Sequence, residues 1–387
     1  MKGLLYFSPL FLYFPRIPGG SETQPILTVL LIGLMFLTCK VSKQISILIA
    51  VGLMILSLLP SLAQLALNYD LKTSLSSFIL LLGPMFLFGL MTINAPPPSR
   101  KSLAFACIFF IGIAFFEIFF GNTYEAIASE LLPRATVFNF HRGVSLLTPE
   151  PTYATISMIY LIFLSLWAGQ QSEPKYLWIE PVLFILLALT FSMYADIFIS
   201  VILLIKFPKI IISSLLILIT MSIFVFQFGG ASVDADNSTR VIVALNSLFL
   251  IDYSNFLTSI SIADESLGTR VIANYTGYFT PSVAPLGLGL SCTSLYNAML
   301  LINSDVVFSN PLLLTLAKGG CLKPAAYLPS LMLTVGYLGI LFLMLLIYLL
   351  RIICKHLPIK FDLTPFTCAI ILLTLQGQIS SPIPWFL

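Results

Sequence analysis

Charge is what this chain has least of. Only 9% of its 387 residues are Asp, Glu, Lys or Arg, 58% are hydrophobic, and the mean hydropathy is +1.02. A soluble domain carries about 25% charged residues, so a water-soluble fold is excluded and a membrane-embedded one expected. Basic runs are also missing, and the net charge is only +3. Nucleic-acid binding is therefore not expected. The six cysteines stand singly, with no C-x2-C pair, and there are two histidines. This removes the common zinc-site spacings, and no metal or other cofactor is expected. No small-x-small cleavage site follows Met1-Lys2 and the apolar run Gly3 to Phe14. The start therefore reads as a retained first span rather than a signal peptide that is removed.

Long apolar stretches fill most of the chain. A spanning helix needs roughly 20 apolar residues. Candidates lie near 3–15, 24–39, 44–67, 74–93, 102–120, 151–169, 177–194, 195–206, 210–228, 326–350 and 361–379. The seventh and eighth meet at Ser192-Met193-Tyr194-Ala195-Asp196, either a tight outer turn or a break in one long helix. The expected fold is an all-α polytopic membrane protein with about eleven transmembrane helices, read as one integral membrane domain over 1–387.

Lysine and arginine set the orientation. With the N-terminus inside, the inner segments hold Lys2, Lys40, Lys43, Arg100, Lys101, Lys175, Lys206, Lys209, Arg351, Lys355 and Lys360. The short outer loops hold only Arg16 and Lys72. This orientation leaves the C-terminus outside, together with two long loops at about 121–150 and about 229–324. Cys292 and Cys321 fall in the second loop, where a disulfide or two packed thiols would both fit. Loops longer than about 15 residues are uncommon unless they carry function. The apolar patches of the second, Ser282 to Leu290 and Val306 to Leu316, read as segments that dip into the membrane or lie flat on it.

Four arginines, Arg134, Arg142, Arg240 and Arg270, sit in these two outer loops. A planar guanidinium on a lipid-embedded scaffold suits gripping a phosphate. The first constellation runs from His141-Arg142-Gly143 to Pro149-Glu150-Pro151-Thr152-Tyr153. Flanked by prolines where the loop enters the sixth span, Glu150 is placed near a helix N-cap, where a carboxylate is favoured. It would orient Arg142, take a proton from an attacking hydroxyl, or simply start the helix. His141 would relay a proton near neutral pH or act as an interfacial hydrogen-bonding residue. The second constellation is Gly268-Thr269-Arg270 followed by Pro285-Leu286-Gly287-Leu288-Gly289. There, Gly287 and Gly289 would give a ligand room and amide donors. Tyr153, Arg134 and Lys323 join as candidate substrate contacts, and Glu117 and Asp196 as carboxylates at the outer ends of spans. Asp234-Ala235-Asp236 has a spacing that can hold a divalent cation, but a solvated loop is the expected reading. Thr239-Arg240-Val241-Ile242 recurs as Thr269-Arg270-Val271-Ile272, which suggests two helix starts aimed at one site.

These motifs, in this order, resemble the O-antigen polymerase and O-antigen ligase superfamily of bacterial membrane glycosyltransferases. The likeness rests on Arg142 to Ala154, on Gly268-Thr269-Arg270 with Pro285-Leu286-Gly287-Leu288-Gly289, and on Gly336-Tyr337-Leu338-Gly339 within the apolar stretch Tyr327 to Leu345. It covers about 140–350 by motif and the N-terminal spans by hydropathy alone. The resemblance implies a GT-C-like architecture in the bacterial inner membrane, with the active site on the extracytoplasmic face. It implies transfer of a growing glycan from undecaprenyl pyrophosphate to the non-reducing end of a lipid-linked repeat unit, without a metal, alongside a partner that sets chain length. Arg142 and Arg270, with Arg240 as a third, would neutralise the leaving pyrophosphate, and Glu150 would hold the arginine or assist the acceptor hydroxyl. Family ligases carry a histidine where the large loop re-enters the membrane. Here that stretch reads Lys323-Pro324-Ala325-Ala326-Tyr327, which favours polymerase over ligase. A flippase for the same lipid-linked sugar is the rival from another class. It should place ionisable groups at mid-membrane, whereas these spans are nearly charge-free at their centres.

Overall fold

The computed structural model describes residues 6–7, 9–10, 98–132, 143–169, 176–206, 265–289, 294–302, 324–341, 343–344 and 363–375. Among these the secondary structure is helical, with no strand. The expected spans over 24–39, 44–67, 74–93 and 210–228 lie outside the described residues, as do Cys292 and Cys321.

Helix α1, Arg100–Phe119, opens at Ser99, whose hydroxyl caps the amide of Ser102 at 3.2 Å. Its 20 residues span about 30 Å. One stripe is buried, running Leu103, Cys107, Phe110, Ala114 and Glu117 at helical spacing. The opposite side shows Phe105, Ile108, Phe115 and Phe119 to the surroundings. A helix with that much exposed apolar surface suits hydrocarbon rather than water. After a short α2, Gly121–Leu131, the chain reaches α3, Pro151–Gly169. Proline at the first helical position costs no hydrogen bond. α3 is buried on almost every side, so it forms the centre of the bundle.

α1 and α3 are each long and apolar enough to cross a membrane. Two shorter apolar helices follow, α4 (Ile179–Leu189) and α5 (Met193–Lys206). Between them Thr190, Phe191 and Ser192 interrupt the helix, with Phe191 at φ 41° and the Ser192 carbonyl accepting from the Ala195 amide at 2.8 Å. The interruption therefore overlaps the expected junction at Ser192.

The stretch 229–324, expected as a loop, carries α6 (Glu265–Val283) and α7 (Ser294–Ile302). Beyond it lie α8 (Tyr327–Val335) and α9 (Leu363–Thr374). The expected span over 326–350 is broken at Gly336, which adopts φ 60° and ends α8; helix resumes at 338. Gly336 and Gly339 were expected inside one helix, and the structure corrects this. A Cβ at Gly336 would come within 2.0 Å of the Pro285 carbonyl oxygen, so the break makes room for the turn that follows α6.

Two groups of helices result. α3 packs against α1, α4 and α5, while α6 packs against α7 and α8. α9 touches both groups, through α5 and α8. The side chains of Asn274 and Tyr278 tie α6 to the end of α9: Asn274 donates to the Leu375 carbonyl at 2.8 Å and Tyr278 to that of Thr374 at 2.9 Å. These bonds satisfy terminal carbonyls that a helix leaves without partners.

Candidate functional site

The site is built on the loop 143–150. Gly143 lies against the end of α4, where an added Cβ would come within 2.2 Å of the Thr190 carbonyl oxygen; its φ is 71°. Val144 then donates its amide to the Leu189 carbonyl at 3.0 Å. Next, Glu117 receives the loop from inside the bundle. Its carboxyl group, fully buried at the end of α1, accepts from the Ser145 amide at 2.7 Å, the Ser145 hydroxyl at 3.0 Å and the Leu146 amide at 3.0 Å. The Leu147 amide donates to the Tyr124 hydroxyl at 3.0 Å. Leu146 and Leu147 adopt φ 50° and 61°, a left-handed conformation that branched and bulky side chains rarely take.

The loop ends at Glu150. Thr148 steadies it: its amide donates to the Ser145 carbonyl at 2.9 Å, and its hydroxyl, with a single proton to give, lies 2.7 Å from the carbonyls of both Ser145 and Glu150. The Glu150 carbonyl accepts from the amides of Tyr153 at 3.0 Å and Ala154 at 3.3 Å, so Glu150 caps α3 as its position between two prolines suggests. Its side chain reaches across to α6, where Arg270 Nη2 donates to Glu150 Oε2 at 2.9 Å. The partners are 120 residues apart in sequence and about three-quarters buried, at 26% and 28% exposure. Tyr194, at the start of α5, is within electrostatic reach of Arg270. The beginnings of α3, α5 and α6 thus meet at one end of the bundle.

Of the residues singled out in the sequence, Arg270 and Glu150 are brought into direct contact. Tyr153 is half-buried and packs against both the main core and the small cluster around Tyr124. Gly287 and Gly289 are placed differently from the expected ligand-facing turn. The Leu288 amide donates to the Leu333 carbonyl at 2.8 Å and the Gly289 amide to that of Thr334 at 3.2 Å. A Cβ on Gly287 would come within 2.5 Å of the Thr334 backbone. The close approach these glycines permit is to α8. Arg134, His141, Arg142, Arg240 and Lys323 lie outside the described residues, as do Asp234 and Asp236. Asp196 is exposed in the first turn of α5.

Two features went unread in the sequence. Arg270, Asn274 and Tyr278 recur every four residues and share a face of α6, a polar stripe that helical spacing would have disclosed. The second is the capture of the 143–150 loop by Glu117, which no local pattern announces. Outside the spans, burial and the nearby Glu117 push the Tyr124 hydroxyl up to about 12, and burial alone pushes Tyr278 up to about 12. Both phenols therefore remain protonated donors well above neutral pH. Among the described residues no group of His, Cys, Asp and Glu could hold a metal ion.

The described residues form a helical bundle that includes two helices able to span a membrane, with an Arg–Glu pair at one end. No protein-family model, curated protein or solved structure matches the chain.

Proposed function

We propose that the chain is a membrane glycosyltransferase of the O-antigen polymerase type, with about eleven spans in a GT-C-like arrangement and its site on the extracytoplasmic face of the bacterial inner membrane. One observation carries the reading: Arg270 is held by Glu150 at the start of α3, about three-quarters buried and within electrostatic reach of Tyr194. A guanidinium with one nitrogen fixed by a carboxylate is pre-aimed for an anion. In the proposed reaction the acceptor hydroxyl forms a bond to the anomeric carbon as the bond to the lipid pyrophosphate breaks. The hydroxyl proton passes to a base, for which Glu150 and His141 are the candidates. Negative charge builds on the departing phosphate oxygen. Oriented guanidiniums in a low-dielectric site stabilise that charge without reorganising at the moment of reaction. Arg142 and Arg240 are the further cations this reading calls on, and Arg134 and Lys323 the outer substrate contacts.

The lipid-linked substrate explains why the arginines stand on a membrane scaffold. Its polyprenyl tail stays in the bilayer while its pyrophosphate lies at the surface. The test uses purified protein in vesicles carrying undecaprenyl-pyrophosphate-linked repeat units together with a lipid-core acceptor, with chelator and no energy source. Lengthening of the glycan supports the proposal. Movement of the units between leaflets without lengthening overturns it in favour of a transporter, and transfer only to a lipid core overturns it in favour of a ligase.

A further inference from the structure

The residue that shapes this site is not one that touches the arginine. Glu117 is fully buried, yet in its contacts with the 143–150 loop its oxygens only accept. They take two successive backbone amides and one hydroxyl, and the neighbouring Tyr124 hydroxyl takes the third successive amide, that of Leu147. Successive amides pointing one way form a concavity for an anion, and here a carboxyl group from the chain itself occupies it. The two leucines in that run are left-handed, a conformation that persists only where its surroundings enforce it. Ser145, once fixed, receives the Thr148 amide on its carbonyl, and the Thr148 hydroxyl in turn fixes the carbonyl of Glu150. A continuous series of bonds therefore leads from the buried end of α1 to the carboxylate that meets Arg270.

We propose that Glu117 is the positioning residue of this site: it holds the Gly143–Glu150 loop in the shape that delivers Glu150 to Arg270. Glu117→Gln preserves size but sets an amide N–H₂ against one of the loop's donors, whichever way it turns. The loop then relaxes out of its left-handed bend and withdraws Glu150. The proposal rests on the Arg270–Glu150 pair and is independent of the reaction assigned to it.

The test reads proximity directly. Cysteines are introduced as Glu150→Cys with Arg270→Cys, after replacement of the six native cysteines, and joined in the membrane by a short bifunctional thiol reagent. Arg100→Cys with Glu180→Cys reports on the other end of the bundle. Glu117→Gln should lower cross-linking of the 150–270 pair about tenfold, the scale expected when a buried donor loses its acceptor, and leave the 100–180 pair unchanged. Adding Leu147→Gly should restore part of the loss, because glycine takes the left-handed conformation freely. Unchanged cross-linking at 150–270 overturns the proposal. An equal fall at both ends also overturns it, since that marks general loosening of the bundle. Where Glu117→Gln does not accumulate, Glu117→Asp decides. It keeps both oxygens but withdraws them by one carbon, and undiminished 150–270 cross-linking in that variant overturns the proposal. The glycan-lengthening assay can fail without altering any of these outcomes.

Discussion

Two arginine–glutamate pairs, each 2.9 Å apart, stand at opposite ends of the bundle and are built differently. Arg100 and Glu180 join the start of α1 to the start of α4. Glu180 also accepts from Ser165 on α3 at 2.8 Å, and Arg100 also donates to the Tyr176 carbonyl at 3.2 Å. Their side chains are 13% and 18% exposed, and the buried Arg100 Nε has no hydrogen-bond partner among the described residues. Arg270 and Glu150 are roughly twice as open and join segments remote in sequence. The same contact distance serves two ends. At one, an ion pair closed in by three helices acts as a clamp. At the other, a pair left partly open presents a guanidinium. Surroundings, rather than N···O distance, distinguish the roles, and the contrast can be broken experimentally.

The largest effect is expected at the open pair. Arg270→Ala should lower glycan transfer about 100- to 1,000-fold, the usual cost of losing one donor to developing negative charge. Its effect on thermal unfolding in detergent should be small, about 1 kcal/mol, because a partly exposed pair contributes little stability. Arg270→Lys should not recover the rate, since lysine lacks the planar fork. Unfolding at much lower temperature with transfer preserved would make this pair a second clamp and erase the contrast.

The closed pair should respond the other way. Arg100→Ala leaves Glu180 a buried charge with only Ser165 and should cost about 2 to 3 kcal/mol of stability, below the roughly 3–5 kcal/mol of a fully enclosed pair. Transfer per folded molecule should stay near the wild-type value. The check is a melting curve beside the rate measured on the folded fraction.

How far the sequence disclosed these two ends follows from the physics of each. Apolar length placed α1, and the proline-flanked Glu150 placed the start of α3, because both are local signals. Arg270 and Glu150 were each singled out, for being charges where charge is rare. Their pairing was not, because 120 residues separate them and no periodicity spans such a gap. Of the two breaks, the one over Thr190, Phe191 and Ser192 overlaps the junction expected from Ser192 onward, whereas the one at Gly336 lies hidden in an apolar stretch, because Pro285 packs against it from another segment. Within 229–324 the repeat at Thr269-Arg270 points to a helix but not to its extent: α6 begins ahead of it at Glu265 and carries a polar stripe and Pro281, which an apolar-run criterion passes over.

That stripe sharpens the comparison further, since one face of α6 carries both kinds of role. Arg270 faces Glu150, while Asn274 bridges the Ala325 amide at 2.8 Å and the Leu375 carbonyl at 2.8 Å. Asn274→Ala strands a donor and an acceptor and should cost about 1–2 kcal/mol. Transfer should fall much less than in Arg270→Ala. A larger loss of transfer would mean that the tie to α9 is part of the site.

The smallest effect separates two tyrosines by the cause of their shared behaviour. Tyr124 and Tyr278 are each held up to about 12, above the roughly 10 of a free phenol in the unfolded chain. A raised folded value means the native state keeps its proton longer. The contribution to stability is then complete below about pH 10 and is lost as pH rises towards about 12. Tyr278→Phe and Tyr124→Phe should each flatten part of this alkaline decline, apart from the pH-independent loss of the bonds to the Thr374 carbonyl and the Leu147 amide. Burial alone accounts for Tyr278, whereas for Tyr124 the charge of Glu117 adds to burial. Glu117→Gln should therefore shift the tyrosinate absorbance of Tyr124 to lower pH and leave that of Tyr278 in place. Each signal is isolated by subtracting the corresponding Tyr→Phe titration. A shift of both tyrosines together would show that removing the Glu117 charge loosens the bundle as a whole; a shift confined to Tyr124 would show the charge acting on its own loop.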